Sequence, residues 1–178
     1  MKNIYIVNAF GFGREVAEWI SLMPGYGAGF QLAGFLDDRP DGEGFMDLTI
    51  TGNPADFHPG NEDLLVIALS DPAKKAAWAS HFKKKNAGFF SVIHPSNRIS
   101  GFASVGEACI LAPFNSISTG VVMDSFVTLY GFCRIGHDAR LESFCHLSSH
   151  VAIGGGSTVK SGASIPEFTT VVKNQIYE

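Results

Sequence analysis

A six-residue period runs without a slip through the second half of the chain. Stepping by six from Ile93 meets Ile99, Val105, Leu111, Ile117, Met123, Leu129, Ile135, Leu141, Leu147, Ile153, Val159, Ile165 and Val171, fourteen positions that are all aliphatic or Met. Four residues after most of these anchors stands a small or modest side chain, among them Ala103, Cys109, Val121, Val127, Cys133, Ala139, Cys145, Val151, Ser157, Ala163 and Thr169. A bulky aliphatic followed four residues later by a small one describes one side of a triangular coil. Three hexapeptides close a turn, so anchors eighteen residues apart stack and fill a narrow prism. Each coil buries its apolar face only against its neighbours, and the result is a regular solenoid. It is expected to occupy 93–178.

Two features ride on this period. Cys109, Cys133 and Cys145 share the small inward register; with no CxxC and no metal-ligand spacing they read as buried, reduced thiols, and no metal site is expected. Phe102, Phe114, Phe126, Phe132, Phe144 and Phe168 each fall three residues after an anchor, on an outward register. A row of outward aromatics points to a covered surface, with either a second subunit or the N-terminal half as the cover.

Residues 1–92 follow a different pattern. Short apolar runs at Ile4–Val7, Leu32–Leu36, Leu64–Leu69 and Phe89–Ile93 read as strands. Val16, Ala17, Trp19 and Ile20 recur at helical spacing within Arg14–Leu22. Pro72–Asn86 reads as a second helix, with Asp71 as its cap and Pro72 in its first turn. Alternation of strand and helix predicts an α/β, Rossmann-like N-terminal domain. Its first strand runs into Asn8-Ala9-Phe10-Gly11-Phe12-Gly13, a turn able to aim backbone N–H groups at a phosphate. Asp37, at the end of the second strand, is placed like an acid that binds a ribose hydroxyl. Asn8 stands where a first glycine is usual, and a plain strand-to-helix turn is the competing reading. Asp38-Arg39-Pro40-Asp41-Gly42 also reads as a solvated loop.

The net charge of -4 argues against a general nucleic-acid binder, and Lys83-Lys84-Lys85 reads as a solvated helix end. No apolar run approaches the roughly 20 residues of a membrane span. Met1–Val7 carries no signal-peptide pattern, so a cytoplasmic location is expected.

Ile4-Tyr5-Ile6-Val7-Asn8-Ala9-Phe10-Gly11-Phe12-Gly13-Arg14-Glu15-Val16 and Gly34-Phe35-Leu36-Asp37-Asp38 resemble the opening of the PglD/NeuD-like bacterial sugar acetyltransferases. Ile135-Gly136-His137-Asp138, Cys145-His146-Leu147 and Gly154-Gly155-Gly156 resemble their catalytic stretch. The resemblance covers almost the whole chain. It implies a left-handed parallel β-helix, a homotrimer, acetyl-CoA as the acetyl donor and a nucleotide-sugar acceptor. Many members acetylate the amino group of nucleotide-linked amino sugars, for surface glycan synthesis; others O-acetylate sialic acid or polysaccharide. The N-terminal domain would hold the nucleotide sugar through Ala9, Phe10, Gly11, Phe12, Gly13, Asp37, Asp38 and Ser70. Coenzyme A would lie along the solenoid between subunits, with His146, Gly155 and Gly156 as its contacts.

His137, two residues after its anchor on an outward register, suits a general base, and Asp138 would orient it. Adjacent residues in a strand point opposite ways, so this pairing requires a coil corner. A surface histidine is the plain alternative. His146 lies nine residues on and could instead pack at a subunit seam. Gly155, eighteen residues after His137, stacks one coil above it as an oxyanion donor or as a glycine forced by a tight corner. His94 and His150 read as structural. Members of the resembled family usually continue for further coils into a Gly-Asn-Pro tail, whereas this sequence ends at Val171–Glu178. That leaves a shortened coenzyme A side as an expectation, and a non-catalytic trimeric sugar-nucleotide binder as the alternative function.

Overall fold

The computed structural model describes residues 1–39 and 44–178. Pro40, Asp41 and Gly42 of the expected loop lie outside the described residues. The N-terminal part contains β1 (Lys2–Val7), α1 (Phe12–Ser21), β2 (Phe30–Leu36), β3 (Ile50–Gly52), β4 (Asp63–Ile67), α2 (Pro72–Lys84) and β5 (Gly88–Phe89). The five strands form one parallel sheet in the order β3-β2-β1-β4-β5. Side chains alternate across β1. Ile4 and Ile6 join Val16, Ala17 and Ile20 of α1, while Val7 joins Ala79 and Phe82 of α2. Both faces of the sheet are therefore covered, which is why its strands read as continuous apolar runs. Asp71 caps α2 as expected, its carboxylate accepting the Ala73 and Lys74 N–H groups at 2.9 and 3.0 Å.

The expected strand Phe89–Ile93 is two strands. Gly88–Phe89 closes the N-terminal sheet against Leu64–Leu65, and β6 (Val92–Ile93) pairs with Ile110–Leu111 as the first strand of the solenoid. The sequence shows one apolar run because Phe89 packs against one core while Val92 is buried in another. β3 escaped the sequence reading: three residues at the sheet edge carry no periodic signal.

From β6 onward every strand is two residues long, and each anchor is the second of the pair. The strands form three five-stranded parallel sheets. The first holds β6, Ile110–Leu111, Thr128–Leu129, His146–Leu147 and Ser164–Ile165. The second holds Arg98–Ile99, Ser116–Ile117, Arg134–Ile135, Ala152–Ile153 and Thr170–Val171. The third runs from Ser104–Val105 to Ile176–Tyr177. Ile117 pairs with Ile135, Ile135 with Ile153 and Ile153 with Val171, so the eighteen-residue step is the stacking register. The anchors and the small residues four places later make one buried core, in which all three cysteines are free thiols. Burial pushes the Cys109 and Cys133 thiols up to about 11. This is a three-sided parallel β-helix.

A second register shapes the corners. Three residues after successive anchors the backbone is left-handed at Ala108, Phe114, Gly120, Phe126, Phe132, Asp138, Phe144, His150, Gly156, Gly162, Phe168 and Asn174, with φ between 57° and 74°. Non-glycine residues rarely occupy this region, and here seven of the twelve are aromatic, Asp or His with no glycine substitute. Stacking compensates. At the corner between the first and second sheets, Phe114, Phe132, His150 and Phe168 stack in a ladder with ring centroids 5.0–5.1 Å apart. At the corner before the first sheet Phe126 and Phe144 stack at 4.9 Å. Phe126 is only 1% exposed, beneath Phe89 and the α2 side of the N-terminal domain, whereas Phe102, Phe114, Phe132 and Phe168 stay exposed. The aromatic register thus marks corners, and the N-terminal half covers only the second column.

Candidate active site

The corner between the second and third sheets carries no aromatic after Phe102. Its left-handed positions are Gly120, Asp138, Gly156 and Asn174. Asp138 has φ 59°, and this turn brings its side chain to the same side as that of His137. His137 Nδ1 lies 2.8 Å from Asp138 Oδ2, with the imidazole about half exposed. A Nδ1–H donated to the carboxylate leaves the Nε2 lone pair outward as a proton acceptor. Glycines frame the pair. A Cβ on Gly120 would lie 2.2 Å from Asp138 Oδ1, and one on Gly155 would lie 2.7 Å from His137 Nε2. Glycines 136 and 154 have another cause: their Cβ atoms would strike backbone of the next coil at 2.6 and 2.4 Å. Gly156 donates its N–H to the His137 carbonyl at 2.9 Å, which takes that donor away from any substrate. Among the described residues no acceptor takes the Gly155 N–H.

One coil earlier on the same sheet, a cleft is lined by Arg98, Ser100, Ser116, Ser118 and Thr119. The Thr119 carbonyl accepts the Asp138 N–H, tying this cleft to the His-Asp corner. Sequence reasoning passed over these residues. The available signal was the pair Ser100 and Ser118 in register with Gly136 and Gly154, all one place after an anchor.

His146 is not brought to His137 within the chain. It stands on the first sheet, which faces the N-terminal domain, in a cleft of about 660 Å³ with Ser70, Asp71, Pro72, Tyr130, Ser148, Ser164 and Glu167. Burial, aided by the charge of Lys75, pulls its pKa down to about 4, so the ring is neutral at ordinary pH. Its Nδ1 is buried with no hydrogen-bond partner among the described residues. Ser70 shares this cleft rather than the glycine turn. Tyr130 lies against His146 on one side and stacks on Phe12 at 4.7 Å on the other.

The turn after β1 consumes much of its own hydrogen-bonding capacity. Asn8 takes up the missing glycine's conformation at φ 96°; its side chain accepts the Phe10 N–H and donates to the Ala68 carbonyl. Gly13 is obligatory, since a Cβ there would lie 1.9 Å from the Asn8 carbonyl oxygen. Gly11 precedes α1 at φ 37°. The Ala9 N–H goes to Asp37 Oδ2 at 2.9 Å, and Phe12 faces the solenoid through Tyr130. Asp37 also holds Arg39, with Nε 2.8 Å from Oδ1 and an Nη 3.0 Å from Oδ2. Burial works against the Asp37 charge, but these hydrogen bonds outweigh it and hold its pKa down to about 2. Asp38 and Arg39 line the clefts on both sides of this pair.

No family model and no curated protein matches the chain. Solved structures do. PerB from Caulobacter crescentus, in complex with CoA and GDP-perosamine, superposes with a TM-score of 0.84 at 18% identity, over 100% of this chain and 92% of that one. WeeI from Acinetobacter baumannii AYE gives 0.71 at 18% identity, covering 99% and 94%. The acetyltransferase domain of PglB from Neisseria gonorrhoeae FA1090 gives 0.62 at 19% identity, covering 98% of each. The chain shares their fold. The likeness in fold extends over nearly the whole chain. Among the described residues no helix is long and apolar enough to cross a membrane.

Proposed function

We propose that this protein is an acetyl-CoA-dependent sugar acetyltransferase acting on the amino group of a nucleotide-linked amino sugar, with His137 as general base. The observation that carries the reading is the His137–Asp138 pair held between Gly120 and Gly155 at a solenoid corner. Acetyl-CoA would supply an activated acetyl group. His137 Nε2 takes the proton of the attacking amine and would return it to the coenzyme A sulfur as the C–S bond breaks, while Asp138 keeps the proton on Nδ1 and stabilises the imidazolium in between. The Gly155 N–H, beside the ring, is the candidate donor to the developing oxyanion. The hydroxyls and guanidinium of the Arg98–Thr119 cleft suit the amides and phosphates of coenzyme A. End-to-end likeness to PerB, crystallised with CoA and GDP-perosamine, and to the PglB acetyltransferase domain supports the same reaction class.

In the same reading, 1–92 is a Rossmann-like nucleotide-sugar domain, 93–178 is a left-handed β-helix, and the protein is a cytoplasmic homotrimer. The parallel order β3-β2-β1-β4-β5 supports the first, and the exposed aromatic ladder supports a subunit contact. In a trimer the His146 cleft of one subunit can complete the His137 corner of the next.

The test is thiol release from acetyl-CoA against a panel of GDP-, UDP- and dTDP-linked amino sugars. Turnover on at least one, with a trimeric mass in sedimentation equilibrium, is the expected outcome. Absence of acetyl-CoA binding by calorimetry at millimolar ligand would overturn the enzyme reading.

A further inference from the structure

The carboxylate of Asp37 has no capacity left for a ribose. An ionised carboxylate offers about four acceptor sites. Oδ1 accepts the Arg39 backbone N–H at 3.1 Å and its Nε–H at 2.8 Å; Oδ2 accepts an Arg39 Nη–H at 3.0 Å and the Ala9 N–H at 2.9 Å. All four come from the protein. The carboxylate is nearly buried, while Arg39 is more than half exposed. The guanidinium also lies over Phe10, its central carbon 3.7 Å from the ring centroid. Asp37 grips the side edge of the guanidinium, made of Nε and one Nη, and Phe10 covers one face. The end edge, with parallel N–H groups from both Nη atoms, remains directed away from Asp37. Clefts open on either side of it, one lined by Asn8, Lys74 and Trp78, the other by Thr51 and Asn53.

We infer that Arg39 is the nucleotide-contacting residue of this turn, offering its end edge to a pair of acceptors, and that Asp37 and Phe10 position it. The inference rests on the reading that the turn after β1 receives the nucleotide of the acceptor. A two-pronged donor matches either two phosphate oxygens or the O6/N7 edge of a guanine. Asp38 lines both clefts beside Arg39 and opposes an anion, while Lys74 favours one. The two sources of the acceptor pair separate by experiment. Asp37 acts through Arg39: it fixes the fork in place, so that little rotamer freedom is lost on binding.

Calorimetric titration of GDP and UDP into wild type, Arg39→Ala, Arg39→Lys and Asp37→Asn tests this. Arg39→Ala should weaken binding at least tenfold, and Arg39→Lys should fail to rescue it, because an ammonium has no second prong. Equal loss for GDP and UDP assigns the edge to phosphate; loss confined to GDP assigns it to the base. Asp37→Asn should weaken binding less than Arg39→Ala, and its effect on the acceptor sugar should fall on KM more than on kcat. Arg39 is exposed, so its variants should melt at the wild-type temperature. Unchanged or tighter binding by Arg39→Ala, together with loss in Asp37→Asn, would overturn the inference and return the contact to Asp37. Absence of nucleotide binding by wild type would instead remove the underlying reading, and the inference with it.

Discussion

His137 and Asp138 are sequence neighbours whose side chains meet at 2.8 Å, and they meet because Asp138 adopts φ 59° at a solenoid corner. In an extended strand the two would point to opposite faces. If this pair is the base and its orienting acid, His137→Ala should lower kcat by roughly 10²–10⁴-fold. The fold should survive, since the ring is 54% exposed and no core contact is lost. Asp138→Asn should cost less, because the carboxylate supports the imidazolium without carrying the proton. A sugar amine that is already neutral needs less help than a hydroxyl, so the loss should be larger on hydroxyl acceptors. Near-wild-type turnover of His137→Ala on both acceptor types would exclude the assignment and turn attention to His146.

The glycines beside this pair separate activity from stability. The nearest atoms to a Cβ on Gly155 belong to the His137 ring, at 2.7–3.0 Å. That ring is exposed and can swing aside. Gly155→Ala should therefore leave the melting temperature nearly unchanged while kcat falls with the displaced base. Gly120→Ala differs, because the residue sits at φ 70° and its added Cβ would lie 2.2 Å from Asp138 Oδ1. Strain of about 1 kcal/mol or more adds to the lost pairing, so both melting temperature and kcat should fall. Full activity in Gly155→Ala would mean that the ring position does not matter.

Much of this architecture was legible in the sequence. Period six with aliphatic anchors dictates the solenoid, because no other placement buries Ile117, Ile135 and Ile153 in one column. The His-Asp corner was legible as a candidate, but the geometry that unites it was not: left-handed backbone at a Phe or an Asp leaves no compositional mark. The same blindness hid that the phenylalanine register is first a corner register, although the N-terminal half does cover it at Phe126. The glycine turn was seen and Gly13 is indeed obligatory, yet its N–H groups proved largely committed to Asn8, Asp37 and Phe10. Asp37 was found by its place at a strand end; that Arg39 saturates it depends on side-chain geometry two residues away, which periodicity cannot carry.

The two aromatic columns should respond differently to truncation. Phe126 is buried between Phe89, Phe144 and the α2 side of the N-terminal domain. Phe126→Ala should destabilise by about 3–5 kcal/mol, the usual cost of a buried phenylalanine. Phe168 ends the other ladder and is 74% exposed. Phe168→Ala should cost under about 1 kcal/mol in the isolated subunit. If the ladder is a subunit contact, the same change shifts the sedimentation profile toward monomer. Urea unfolding at low and high protein concentration separates the two contributions.

The last prediction concerns Lys75, which α2 drives into the solenoid face. It is almost fully buried and donates to Thr128 Oγ1. The titratable groups facing it from the solenoid are Cys109, Cys145 and His146, all held neutral at ordinary pH by burial, and among the described residues no ion pair reaches its amine. Burial pulls its pKa down to about 8, against roughly 10.4 in an unfolded chain. Below pH 8 both states carry the proton, and the folded state bears the full cost of a buried charge, on the order of 3 kcal/mol. Between about 8 and 10 the unfolded chain binds more protons than the folded one, so this cost fades as pH rises. Lys75→Met removes it at comparable volume, as buried charges replaced by apolar groups often stabilise. The variant should be more stable than wild type at pH 7, and its advantage should shrink steadily toward pH 10. Urea unfolding of both proteins across that range reads the difference directly. A difference that stays flat with pH, or that grows, would show that Lys75 is charged and compensated in the folded protein.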